Sequence, residues 1–507
     1  KYKGKFDAGW DVIREQIYQN QLEKGYIPAG TKLAPKPDEI QDWDDLTPKE
    51  QKLFARQAEV FAAYLDMTDM EIGRLVDTIE DLGELDNTLV FYVAGDNGTS
   101  AEGVFTGLYN EMAYFNGEPK ASDVDFMLEH YDEWGSPDTY PHMAAGWAIA
   151  FDSPFTWTKQ VASNYGGTRQ GLAVHWPQGI QSKGELRSQW HHVIDVVPTI
   201  LEAAGLPEPT EVNGTPQRPI EGVSMMYSFD DSDARDRHTT QYFEMGGNRG
   251  VYHNGWFAGT IHLKPWGEAE NRFSEDTWEL YHVAEDFSMA QDLASQYPEK
   301  LAELQDLFLE EAMKYNVLPL DDRRLELFDP RVANRPDLMF GRTTLTLGAG
   351  MTGLLENDFL NVKNTSFAID ADIDSTENAN GVLVSQGGKF GGWSLYVNQG
   401  QPTFVYNYLG LEQYKIASQS KLPDGKSTVK LDFDYDGGRG AGGTATLYIN
   451  GQEVASGRVE KTQPNVFSAD ETASVGVDLE TSVSEDYTRS TSKFTDTINK
   501  VTISLKR

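Results

Sequence analysis

The sequence predicts two parts: an α/β domain whose mostly parallel sheet is flanked by helices, then an antiparallel β-sandwich. Three observations carry this. A long helical pattern runs directly into a strand that is apolar on both faces, the residues beyond 356 alternate with period two between turn signals, and 507 residues exceed what one core normally serves. The expected division is residues 1–318 for the α/β part, 319–355 for a linker wrapping it, and 356–507 for the sandwich.

From Glu50 to Leu82 the apolar residues Phe61, Tyr64, Leu65, Ile72, Leu75, Val76, Ile79 and Leu82 recur at three- and four-residue steps, and Gly83 is placed to stop the helix. Asp86-Asn87-Thr88 opens the strand Leu89-Val90-Phe91-Tyr92-Val93, apolar on both faces as strands inside a parallel sheet are. It ends in Gly95-Asp96-Asn97-Gly98. A hard divalent cation needs oxygen ligands converging where such strands end, so Asp96 and Asn97 are candidate metal ligands; the tetrapeptide also reads as a plain turn. Between Glu111 and Ser153 lies an insertion with Pro119, Pro137 and Pro141 and the aromatics Tyr114, Phe115, Tyr131, Trp134 and Trp147. It reads either as a wall gripping substrate rings or as an aromatic satellite core under a loop.

After Leu318-Pro319 the texture changes. Asp321 to Gly341, rich in Arg, Asp and Pro, reads as linker. Strand-like runs then follow at Ser366–Ile373, Val382–Val384, Trp393–Val397, Phe404–Tyr406, Val429–Phe433 and Ala445–Ile449, separated by turn signals such as Gln399-Gly400, Gly437-Gly438 and Asn450-Gly451. Regular strands with such turns predict a sandwich. All nine histidines fall at or before His282, so the sandwich reads as a packing or binding module.

Composition excludes several functions. With 43 basic against 79 acidic residues the formal charge is −36, a field that repels nucleic-acid phosphates. It also repels an anionic ester at long range, so an anion site must create its own positive potential. There is no cysteine, hence no disulfide or thiol chemistry, and no apolar run long enough to span a membrane.

Seven ordered segments in the first 300 residues resemble one family. They are Tyr2-Lys3-Gly4-Lys5-Phe6-Asp7-Ala8-Gly9-Trp10-Asp11, Asp69-Met70-Glu71-Ile72-Gly73-Arg74-Leu75, Gly95-Asp96-Asn97-Gly98, Pro154-Phe155-Thr156-Trp157-Thr158-Lys159-Gln160, Gly166-Gly167-Thr168-Arg169, His191-His192-Val193-Ile194-Asp195-Val196-Val197-Pro198-Thr199 and Trp278-Glu279-Leu280-Tyr281-His282. Together they resemble the sulfatases of the alkaline-phosphatase-like superfamily, specifically the bacterial arylsulfatase branch. The part after residue 356 is similar to the laminin-G or concanavalin-like appendage of some arylsulfatases.

The resemblance implies a Ca²⁺-dependent sulfuric ester hydrolase, with Mg²⁺ less favoured, in which Asp96 and Asn97 hold the cation and Lys159 is the catalytic, sulfate-binding residue. It implies a periplasmic or secreted protein acting on a small-molecule or carbohydrate sulfate ester, aryl against sugar being open. It also exposes an absence. The family's nucleophile is a formylglycine made from the first residue of Cys/Ser-x-Pro-x-Arg; here there is no cysteine, and none of the 22 prolines has a serine two positions earlier. Nor do Asp44-Asp45, Asp230-Asp231 or Asp321-Asp322 follow a buried strand as the family's metal pair does. The nucleophile is therefore expected upstream of this chain, which alone is expected to be inactive. The alternatives are a phosphonate or phosphate monoester hydrolase of the same superfamily and a non-catalytic glycan-binding pseudoenzyme.

Gly166-Gly167-Thr168-Arg169 reads as a backbone nest or, more simply, as a turn with Arg169 paired to a carboxylate. His191 and His192 read as structural. Asp195 is a possible cap and Pro198 suits a first helical turn.

Overall fold

The computed structural model describes residues 1–267, 272–328, 330–333, 336, 338–339 and 341–506. The chain divides into two compact units. The first comprises 1–107, 127–135 and 143–322, and the second 108–126, 136–142 and 323–507.

The first unit is built on aromatic packing. Helix α1 (Gly9–Glu23) buries Trp10 and Ile13, and α2 (Pro48–Asp81) buries Leu53, Phe54 and Ala58. Helix α2 starts two residues before the predicted Glu50 because Thr47 and Glu50 form a reciprocal capping box and Pro48 occupies the first turn. Gly83, at φ +74°, closes it with a bond from its N–H to Glu80 O. Trp10 meets Trp43, Phe54 and Trp147 at ring separations of 5.0, 5.8 and 6.0 Å. Trp147 comes from α3 (Ala145–Phe151), whose Gly146 lets α1 approach: a Cβ there would lie 2.5 Å from the Trp10 ring.

The predicted strand forms as β1 (Val90–Val93), but its neighbour β2 (Leu172–His175) pairs antiparallel, Val90 opposite His175 and Val93 opposite Leu172. The expected mostly parallel sheet is thus corrected: among the described residues no parallel ladder forms. Apolarity on both faces was read as burial between parallel neighbours, whereas Val93 and Leu172 are 44% and 41% exposed. Tyr64, Leu65 and Leu75 of α2, Leu82 just beyond its end, and Val197 and Ile200 of α4 (Val196–Ala203), are exposed as well. The amphipathic pattern is real, but over its second half the apolar face is uncovered. A second sheet, β3 (Thr240–Met245), β4 (Asn248–His253), β5 (Trp256–Thr260) and β6 (Trp278–Tyr281), is an antiparallel meander covered by α5 (Pro298–Lys314) through Val251, Ala258 and Leu280 against Leu304, Phe308 and Ala312.

The second unit is the predicted sandwich, a six-stranded sheet facing a five-stranded one, all pairs antiparallel. Phe367, Ile369, Ala371 and Ile373 point into its core with Leu431, Phe433, Trp393 and Leu447, as period two requires. Gln399-Gly400 and Asn450-Gly451 turn hairpins with positive φ at both residues. Thr344–Leu347, within the segment expected to be linker, is instead an edge strand opposite Ser504 to Val501, its alternating Thr and Leu fitting a sheet face. Residues 329, 334, 335, 337 and 340 of that segment lie outside the described residues.

Two pieces of the insertion belong to the sandwich unit. Met112, Ala113 and Ala121 pack with Tyr408 and Leu409, joined by Phe115 and Tyr140, and Asn116 donates to Val466 O at 2.9 Å. Trp134 and Trp147 are buried in the first unit. The satellite-core reading of these aromatics therefore holds over the ring-gripping one. No helix among the described residues is long and apolar enough to cross a membrane.

Candidate functional site

The loop after β1 is held by close backbone contact. A Cβ on Gly98 would lie 1.8 Å from Gly166 O, and the Gly98 N–H donates to Gly167 O at 2.9 Å, so only glycine fits. This packing explains the Gly166-Gly167 pair too. Their N–H groups donate to Asn164 Oδ1 and Asn164 O at 3.0 and 2.9 Å, which leaves no nest for an anion. Among the described residues Arg169 does not meet the expected carboxylate either. Its guanidinium lies 3.9 Å from the Phe287 ring centroid and 5.2 Å from that of Tyr165, a cation–π arrangement.

Asp96 is exposed, and Asn97 commits its amide Nδ2 to Gly98 O at 2.8 Å, so Oδ1 is the group left to serve as a ligand. One carboxylate and one carboxamide oxygen fit a hard cation by donor type and supply part of the six to eight oxygens that Ca²⁺ takes. Next in the chain, the Thr99 N–H donates to both Asp152 carboxylate oxygens at 2.9 and 3.0 Å, and its hydroxyl donates at 2.6 Å. Removal from water pushes the Asp152 carboxyl up to about 7 against those bonds.

Lys159 joins this loop through its backbone, N–H to Thr99 O at 3.2 Å. Its ammonium is engaged by Glu102 Oε2 at 3.1 Å, not by Asp96 or Asn97. Glu102 also accepts from Gln160 Nε2 at 2.8 Å and Ser100 Oγ at 3.1 Å. Burial acts to raise the Glu102 pKa, but the Lys159 charge and these donors outweigh it, and the net shift is downward. Glu102 escaped the sequence reading because a lone acidic residue in a loop carries no spacing signal.

Against this geometry the comparisons with known proteins are informative. The sulfatase family profile matches residues 14–206, which contain Asp96, Asn97 and Lys159. An uncharacterized sulfatase of Schizosaccharomyces pombe is 29% identical over 312 residues, covering 61% of this chain and 53% of that protein. An arylsulfatase of Klebsiella aerogenes is 26% identical, covering 44% and 46%. Over residues 14–206 the chain is similar to the sulfatase family. An N-acetylglucosamine-6-O-sulfatase of Bacteroides thetaiotaomicron is 24% identical, covering 51% and 36%, so the chain spans about half or less of the length of these relatives. Residues 350–488 match the concanavalin A-like lectin/glucanases superfamily.

Within the sulfatase segment a second charged centre surrounds Asp195, which is fully buried. It accepts from His238 Nδ1 at 2.8 Å, His191 Nδ1 at 3.2 Å, the His192 N–H at 2.9 Å and the Val223 N–H at 2.7 Å. Burial works to raise its pKa; these hydrogen bonds outweigh it and hold the carboxyl far below the usual carboxylate range. Asp195 thus ties the start of α4 to His238, a partner the sequence reading did not single out. His192 stacks near Trp190 with planes 4° apart, and burial lowers its pKa, aided by His238. These contacts are those of a scaffold, as expected for the histidine pair.

Proposed function

We propose that this chain is the metal- and sulfate-binding part of a sulfuric ester hydrolase with a formylglycine nucleophile from outside residues 1–507. The carrying observation is that the Lys159 turn is bonded, through Thr99 O, to the loop that bears Asp96 and Asn97. A cation site and an ammonium on adjoining loops suit an ester that presents several anionic oxygens.

In this reading Asp96 and Asn97 would hold Ca²⁺, which when bound offsets negative charge on substrate and nucleophile. Lys159 would take a sulfate oxygen and stabilise the charge that grows on the transferring group. Glu102, hydrogen-bonded by Gln160 and Ser100, orients the lysine, and Gly98 permits the backbone approach that sets the two loops side by side. The resemblance supports a periplasmic or secreted location as part of this reading.

The test is hydrolysis. A chain extended to include a Cys/Ser-x-Pro-x-Arg segment should release sulfate from 4-nitrophenyl sulfate or a sulfated oligosaccharide, with Lys159→Ala lowering the rate by about two or more orders of magnitude. Release of phosphate from a phosphate monoester, with sulfate esters untouched, would contradict the reading.

A further inference from the structure

Two residues of the Lys159 turn hold left-handed backbone without being glycine, Trp157 at φ +65° and Gln160 at +79°. Such conformations are strained and persist where surrounding contacts fix them, often at ligand sites. Here the contacts are rings. Trp157 stacks on Trp266 at 6.0 Å with planes 23° apart, and Trp266 meets Phe105 at 5.7 Å. Phe105 is 44% exposed and neither indole is fully buried, so core packing does not account for the row.

The loops that make the Lys159–Glu102 ion pair also deliver these rings. Residues 102–105 supply Glu102 and Phe105, and residues 157–160 supply Trp157, Lys159 and Gln160. Buried Asn248 locks the third loop in place: its Nδ2 donates to Gln160 O and Leu263 O at 2.8 and 2.7 Å, and its Oδ1 accepts from the Leu263 N–H at 2.9 Å. Phe105 and Thr106 also wall a cavity of about 280 Å³ with Glu39 and Gln41 among its polar groups, and Lys264, two residues before Trp266, pairs with Glu39.

We propose that Trp157, Trp266 and Phe105 form a sugar-ring subsite beside Lys159, so that the ester taken by this site is carried on a glycan. The inference rests on the sulfate-ester reading above and adds the alcohol half of the substrate. A pyranose offers an apolar face of C–H groups to an aromatic ring and a rim of hydroxyls to its surroundings. The row of rings matches the first, and Glu39, Gln41 and Thr106 match the second. An aryl group set against those polar side chains would strip their water and return no hydrogen bond. The cavity lies just under the roughly 300 Å³ at which small-molecule pockets begin, room for one sugar unit.

The experiment is calorimetric binding to the 507-residue chain of oligosaccharides derived from heparin, chondroitin sulfate and carrageenan, their desulfated forms, and inorganic sulfate. Phe105→Ala removes an exposed ring, and Trp157→Gly removes a ring while relieving its backbone, so both are expected to fold. Each should weaken the best-bound glycan about tenfold or more and leave inorganic sulfate, which has no alcohol half, within about twofold. Glycan affinity unchanged in both variants, or no glycan bound, overturns the subsite. Lys159→Ala separates the two claims: it should weaken sulfated but not desulfated glycans. Equal affinity for the two forms would sink the sulfate reading while the ring variants still report on the subsite.

Discussion

The ammonium of Lys159 lies 3.1 Å from a carboxylate oxygen of Glu102, whose side chain is only 8% exposed while that of Lys159 is 33% exposed. The lysine therefore arrives at its turn already oriented, and a sulfate approaching from solvent meets a cation whose inner side is occupied. Glu102→Gln should raise the affinity for inorganic sulfate several-fold, because the competing charge is gone while the Gln160 and Ser100 neighbours remain. Its effect on stability should be modest, about 1 kcal/mol by urea titration, since the pair is partly screened. A loss of sulfate affinity instead would show that orientation by Glu102 outweighs competition.

Asp195 should govern stability in acid. Its folded pKa is depressed, so its contribution is present above the unfolded carboxylate pKa, near 4, and is lost as pH falls through the folded value. Urea midpoints of the parent chain should drop steeply below pH 4. Asp195→Asn should start lower, by about 3 kcal/mol or more, and show a shallower acid slope.

Asp152 carries the opposite sign. Its folded pKa, about 7, is raised, so its contribution is complete below about pH 4 and is lost as pH rises through about 7. Asp152→Asn should flatten the decline in stability between pH 4 and 8, read from thermal midpoints. An unchanged slope would mean that this carboxyl is not held out of water in the folded chain.

Gly98→Ala tests the close approach of the two loops. A Cβ 1.8 Å from Gly166 O cannot be accommodated without moving backbone, and a loss of about 3 kcal/mol is expected in urea unfolding. A change within about 0.5 kcal/mol would contradict the observed contact.

Local chemistry was legible in the sequence, and distant partnership was not. Thr47, Pro48 and Glu50 announce the start of α2, Asn450-Gly451 announces a hairpin, and alternation from Phe367 to Ile373 announces a strand, because each feature is decided within a few residues. The joining of 108–126 to the sandwich depends on contacts such as Asn110 with Leu409, 299 positions apart, and no local pattern encodes that. Asp96, Asn97 and Lys159 were found by motif, yet Glu102 and His238, which meet Lys159 and Asp195 across 57 and 43 positions, were not. Arg169 misled for a related reason: a charge suggests a counter-charge, but Phe287 and Tyr165 took that place.

The most direct measurement is calorimetry of 4-nitrophenyl sulfate binding to the 507-residue chain, with Ca²⁺ and with a chelator. The site as built predicts weak binding without turnover, strengthened by Ca²⁺, lost in Lys159→Ala, and made insensitive to the chelator by Asp96→Asn. Two donors leave most of the cation's shell to water, so Ca²⁺ itself should bind weakly. Binding indifferent to Lys159→Ala and to Ca²⁺, or measurable hydrolysis by this chain alone, would contradict the account.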